Sequence, residues 1–210
     1  MSSVDWIIPA HNEAATIGPV LEAIRAARLG PMLVIADRCT DATADIAHQA
    51  GAAVLEATVG DKGTAMALGL ELTTADRVGF IDADLIGLGA DHLHLLARWP
   101  GTMTIGIRDS AHRLERYPSI GGERVLPRRV AELAGLGGGG YAAEMRLATA
   151  AARLRVSVRE VRLHGLEHPT RAEPWRVRAR WAGVLHGYRD HQQITRWRRT
   201  GGRRAPYAAE

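Results

Sequence analysis

Up to about residue 85 the chain alternates between short apolar runs and segments whose apolar residues recur at helical spacing. VDWIIPA (residues 4–10) predicts a buried strand stopped by Pro9, and EAATIGPVLEAIRAA sets Ile17, Val20, Leu21 and Ile24 on one helical face. PMLVIAD predicts a second strand and TDATADIAHQAGA a second helix, with Thr40 or Asp41 at its cap and Gly51 as its stop. AAVLEA predicts a third strand, TAMALGLELT a third helix, and RVGFIDADL a fourth strand that ends in acids. Strands separated in this way by helices imply an α/β domain with a mainly parallel, Rossmann-like sheet covered on both faces.

Beyond residue 85 the pattern is less regular. TMTIGIRD predicts a fifth strand, SAHRLERYPSIGG an irregular basic segment, ERVLPRRVAELAG a short helix, and YAAEMRLATAAARL a longer helix after the GLGGGG loop. VSVREVRLHGL alternates as a half-buried strand does, and the last stretch is basic, aromatic and helical in propensity. There is no internal repeat.

A length of 210 residues suits one domain with a tail, placed at 1–171 and 172–210. The opening MSSVDWIIPAHNE has no basic region followed by a long apolar run, and no stretch reaches the roughly 18 apolar residues of a membrane span. A cytoplasmic protein is expected. Cys39, the one cysteine, allows no disulfide framework and reads as a packed small residue. The formal charge of +4 is concentrated toward the C-terminus, where ten arginines from Arg171 to Arg204 face two acids, Glu173 and Asp190, beside Trp175, Trp181 and Trp197. A solvated or dimer-forming helix face is the favoured reading of the tail, with peripheral contact at the inner membrane face left open and nucleic acid not expected.

The chemistry lies at the carboxyl ends of the expected strands, where ligands of such sheets bind. His11, Asn12 and Glu13 follow the first strand, Asp37 ends the second, Asp61 and Lys62 follow the third, and Asp82 and Asp84 end the fourth. Lys62 is the sole lysine among 27 basic residues. In an extended segment Asp82 and Asp84 share a face, so the two carboxylates can converge on a hard cation such as Mg²⁺ or Mn²⁺; a plain turn is the competing reading.

Taken in order, IIPAHNEAATIGPVLEAI, VIADRCTDATADIAHQAGA, GDKGTAMALGLE and VGFIDADL resemble the nucleotide-binding half of family 2 glycosyltransferases of the GT-A fold, over residues 4–88. The resemblance implies a nucleotide-sugar donor. It makes Pro9, Asn12 and Glu13 the cradle for nucleobase and ribose, Asp37 the reader of the base, and Asp82 and Asp84 the acids that contact ribose and metal. The DKG element would lay Lys62 along the nucleotide, with Gly63 permitting close backbone approach.

In the acceptor half, residues 89–171, GGERVLPRRV, GYAAEMRL and VREVRLHGLEHPTR are similar to glucosyl-3-phosphoglycerate synthases, and less so to polyprenyl-phosphate sugar transferases. That likeness implies a site residue at Glu144 near the reacting sugar and a third metal ligand at His168, beside Asp82 and Asp84. The metal-ligand reading of Asp84 also makes it a catalytic candidate. A phosphate-bearing acceptor would draw on Arg108, Arg113, Arg116 and Arg124. The polyprenyl-phosphate enzymes carry a glutamine two residues past the second acid of the pair, where Ile86 stands here. A sugar-1-phosphate nucleotidyltransferase is the alternative enzyme class, but PAHNEAATIG lacks its glycine- and arginine-rich phosphate loop. A non-catalytic protein that binds anionic surfaces through its tail is the other alternative.

Overall fold

The computed structural model describes residues 3–108, 121–137, 142–168 and 207–208. The expected alternation is realised by β1 (Asp5–Ala10), α1 (Ile17–Ala27), β2 (Met32–Asp37), α2 (Thr43–Gln49), β3 (Ala53–Ala57), α3 (Lys62–Glu71) and β4 (Arg77–Phe80). There follow α4 (Ala90–Ala97), β5 (Met103–Arg108), β6 (Arg124–Pro127), α5 (Arg128–Ala134), α6 (Ala142–Arg153), β7 (Val158–Leu163) and the two-residue β8 (Tyr207–Ala208). All eight strands form one sheet in the order β3-β2-β1-β4-β6-β5-β7-β8. β6 runs antiparallel to both its neighbours, and every other pairing is parallel.

The continuous apolar runs are explained by burial on both faces of the sheet. Successive side chains of a strand point to opposite faces, so Trp6 and Ile8 enter one layer and Ile7 the other. The first layer is closed by Val20, Leu21 and Ile24 of α1, Ala47 of α2, and Leu93 and Leu96 of α4. The second is closed by Ala65 and Met66 of α3, Val130 and Ala131 of α5, and Ala143 and Leu147 of α6. These opposed layers fix α3 and α6 on one side of the sheet, which brings the start of α3 toward the start of α6.

Three local expectations are corrected. The helix expected over 123–135 begins only at Arg128, because Arg124–Pro127 is β6. RVLP is buried throughout and occupies the edge of β4 that would otherwise leave a row of backbone groups unpaired inside the sheet. Pro127, which has no N–H to give, ends that ladder and stands at the N-cap of α5. Helix α4 was not anticipated: Asp91, His92 and His94 mask the inward Leu93, Leu96 and Ala97 in so short a segment. Finally, β4 stops at Phe80, so Asp82 and Asp84 lie in a loop and turn, where the alternation of a strand does not align their side chains.

Arg113, Arg116, Tyr141 and most of the tail lie outside the described residues; within the tail, Tyr207–Ala208 are strand paired with β7. Among the described residues no helix is long and apolar enough to cross a membrane.

Candidate active site

The chain moves outward from β1 to β2 and β3, then returns across β1 to add β4 on the other side. The carboxyl ends of β1 and β4 therefore flank a reversal in strand order, where an open α/β sheet forms a crevice. Pro9 does not stop β1 as expected, since the strand continues in register with β2 to Ala10; pairing of β1 with β4 covers only Asp5 to Ile7, so the missing N–H of Pro9 lies where β1 and β4 have ceased to pair.

One wall of the crevice is made of loops stitched to each other. Asn12, at a left-handed φ of 55°, accepts a hydrogen bond from the Thr40 backbone N–H on Oδ1 at 2.7 Å. The Glu13 N–H donates to Thr43 Oγ1 at 2.8 Å, and His11 Nδ1 lies 2.7 Å from the Asp37 carbonyl oxygen. These bonds hold the loop between β1 and the first helix, which begins at Ile17. Cys39 is packed between the same loops, its Sγ accepting from the Asn12 N–H at 3.4 Å, and burial pushes its thiol pKa up. It is the packed cysteine expected.

The Asp37 carboxylate accepts the N–H groups of Val59 at 2.8 Å and Gly60 at 2.9 Å. Gly60 has φ 79°, which a residue with a Cβ rarely adopts, and a Cβ there would also overlap the Arg38 guanidinium. Asp37 thus ties the end of β2 to the loop that delivers Lys62. Asp37→Ala is expected to lower stability by about 1–3 kcal/mol, since it orphans these N–H groups, and to weaken nucleoside diphosphate binding. Urea denaturation and calorimetric titration check the two effects separately.

The loop ends at Asp61, which caps α3 by accepting the N–H groups of Gly63 at 2.9 Å and Thr64 at 3.3 Å. Gly63 is buried in the first turn. Lys62 therefore leaves the first position of α3 in a fixed direction, and its Nζ lies 2.7 Å from Asp82 Oδ1 and 2.9 Å from Glu144 Oε1. Glu144 sits in the first turn of α6 with a side chain only 4% exposed, against 24% for Lys62. Burial opposes the charge on Lys62, but the two carboxylates outweigh it and hold the ammonium pKa above its ordinary value. The fully buried Arg124, at the start of β6, donates to the Glu144 carbonyl at 3.3 Å and to the Gly121 carbonyl.

His168 faces the other side of the acids. Its Nδ1 is 2.9 Å from Asp84 Oδ1, and its Nε2 is 3.6 Å from Asp82 Oδ2. The structure thus brings Lys62, Asp82, Asp84, Arg124, Glu144 and His168 together, while Pro9, Asn12, Glu13 and Asp37 form the neighbouring wall.

Glu123, absent from the sequence expectations, joins this group. It is fully buried, and its Oε1 lies 3.7 Å from His168 Nε2. Burial first, then the charge of Asp82, push its carboxyl pKa up to about 7, against the opposing pull of Arg108 and Lys62. Its position was masked by the helix expected over 123–135; the strand that replaces that helix is what turns Glu123 toward Asp82. Gly122 beside it leaves room, because a Cβ there would overlap the Asp82 carboxylate.

A crevice at a strand-order reversal, edged by acids, one lysine and a histidine, is where an open α/β sheet takes its ligand. Residues 5–99 match the model of glycosyl transferase family 2. No curated protein matches the chain. Among solved structures, glucosyl-3-phosphoglycerate synthase from Mycobacterium tuberculosis, in complex with Mn²⁺, uridine diphosphate and glucosyl-3-phosphoglycerate, superposes with a TM-score of 0.73 at 25% identity, over 89% of this chain and 80% of that one. Mannosyl-3-phosphoglycerate synthase from Rubrobacter xylanophilus superposes with a TM-score of 0.75 at 22% identity, over 93% of this chain and 76% of that one. The chain has the GT-A fold of these two synthases.

Proposed function

We propose that the protein is a divalent-cation-dependent glycosyltransferase that moves a sugar from a nucleoside diphosphate donor to a phosphate-bearing acceptor. The convergence of Lys62, Asp82, Asp84, Glu144 and His168 at the β1–β4 crevice carries this reading. Two carboxylates and an imidazole are a suitable donor set for Mn²⁺ or Mg²⁺, and Asp82, Asp84 and His168 would hold it. When bound, the cation neutralises the diphosphate leaving group.

The chain's own residues would do the rest. Asn12, Glu13 and Asp37 lie where the nucleoside would be gripped, on loops already cross-linked before ligand arrives. Lys62 offers a second positive charge to the diphosphate, and its two carboxylate partners keep it protonated and directed into the site. Glu144, held by Lys62, is the carboxylate for the sugar or the acceptor hydroxyl. Arg108 is the described cation for an acceptor phosphate or carboxylate, while Arg124, expected to share that task, is fully buried against the Glu144 and Gly121 carbonyls; phosphoglycerate and polyprenyl phosphate are the two acceptor chemistries to compare. The phosphoglycerate acceptor is favoured because the neighbours that resemble the chain over most of its length are phosphoglycerate glycosyltransferases. The tail, residues 172–210, is assigned to structure, homodimer contact or peripheral membrane contact, with no nucleic acid partner.

A thermal-shift screen of nucleotide sugars with and without Mn²⁺ tests the donor half of the proposal. A true donor at about 100 times its dissociation constant should stabilise the fold by about 2.7 kcal/mol. The expected result is a shift for uridine or guanosine diphosphate sugars that requires the cation. No shift with any nucleotide sugar would count against the reading.

A further inference from the structure

Glu123 is the one buried acid of the site that the mechanism above leaves without a task. It stands just before β6 and is fully excluded from solvent, yet neither carboxylate oxygen accepts a hydrogen bond. A buried, unpaired carboxylate is expensive, because the lost hydration is not replaced. Such a group persists where a cation or a proton satisfies it. Of the cationic side chains near it, Lys62 bonds to Asp82 and Glu144, Arg124 donates to the carbonyls of Glu144 and Gly121, and Arg108 acts on Glu123 through its charge without donating a hydrogen bond to either oxygen.

The surroundings of Glu123 are those of a metal ligand. One oxygen of Glu123, one of Asp82 and one ring nitrogen of His168 all lie within 4.8 Å of one another. The nitrogen is Nε2, which is 3.6 Å from Asp82 Oδ2 and 3.7 Å from Glu123 Oε1. Those separations are too long for hydrogen bonds and suit atoms that share an ion between them. Asp84 holds the other ring nitrogen, Nδ1, at 2.9 Å, in the manner of the carboxylates that fix a metal-binding imidazole from behind. Gly122 completes the arrangement, since its missing side chain is what lets Glu123 and Asp82 approach the same point.

We infer that Glu123 is a direct ligand of the divalent cation, in a set with Asp82 Oδ2 and His168 Nε2, and that it takes the ligand place given to Asp84 above, Asp84 instead orienting the imidazole through Nδ1. The inference rests on the proposed metal dependence and adds to it a ligand that neither the motifs nor the family resemblance supplies. Two carboxylates and an imidazole in this set favour Mn²⁺ over Mg²⁺, because a nitrogen donor suits the transition metal better.

Direct titration of Mn²⁺, followed by electron paramagnetic resonance on the full chain without nucleotide, separates the possibilities. Glu123→Gln keeps the shape and removes the charge, and is expected to weaken Mn²⁺ binding at least tenfold relative to wild type. Wild-type affinity in a folded Glu123→Gln variant would overturn the ligand assignment while leaving the metal dependence standing. A wild-type protein that binds no Mn²⁺, with or without nucleoside diphosphate, would overturn both. Should the variant not fold, anomalous scattering from a wild-type crystal soaked in MnCl₂ decides the matter: a manganese peak within coordination distance of a Glu123 oxygen supports the assignment, and its absence there overturns it.

Discussion

Lys62→Met is expected to reduce turnover by about 10²- to 10³-fold, the loss that follows removal of one positioned charge from a developing anion. It should also destabilise the fold by about 3 kcal/mol, near the low end for breaking a buried ion pair. Both effects have one cause. The Lys62 ammonium lies within 3 Å of Asp82 and Glu144, and without it two carboxylates face each other, that of Glu144 almost wholly buried. Asp82 lies near Glu123 as well, so the lost charge is felt by a third acid. Lys62→Arg should recover much of the stability but not the turnover, because a planar guanidinium cannot present one compact charge to two carboxylates and a diphosphate together. Chemical denaturation and steady-state assays of both variants provide the check. If Lys62→Met were as stable as wild type, the ion pairs drawn here would have no energetic weight.

His168→Ala should weaken Mn²⁺ binding by about 100-fold or more, since even partners outside the coordination shell are worth 10- to 100-fold. It removes the imidazole that joins Asp84 on one side to Asp82 and Glu123 on the other. The fold should survive, because His168 follows the core residue Leu166 and, among the described residues, meets the acids Asp82, Asp84 and Glu123 of the site. Nucleotide binding measured with the cation present should fall in parallel, and nucleotide binding measured in its absence should not change. Mn²⁺ titration with and without uridine diphosphate separates the two. Equal Mn²⁺ affinity in the variant would place the cation away from His168.

The nucleotide half of the fold was legible because each of its strands is buried on both faces and each helix has an apolar stripe, so hydrophobic pattern and architecture coincide. The polar residues at the strand ends were legible for the same reason: once the strands are located, Asn12, Asp37, Lys62 and Asp82 must lie at one edge of the sheet. The second half resisted because its structure depends on partners distant in sequence. Arg124–Pro127 has no strand signature of its own and becomes β6 only because β4 and β5 each offer it an edge. With that strand read as helix, Glu123 could not be placed beside Asp82. His168 was reachable only by family resemblance, since a histidine before a proline carries no signal about the acids 84 and 86 residues earlier in the chain that it meets.

The most direct measurement is product analysis by mass spectrometry after the protein is incubated with a nucleotide sugar, Mn²⁺ and 3-phosphoglycerate. The account predicts release of the nucleoside diphosphate together with a glycosylated acceptor, both lost when the cation is chelated. Polyprenyl phosphate in place of phosphoglycerate identifies the acceptor chemistry. Failure of every nucleotide sugar to yield nucleoside diphosphate with either acceptor, or cation-dependent formation of nucleotide sugar and pyrophosphate from a sugar 1-phosphate and a nucleoside triphosphate, would contradict it.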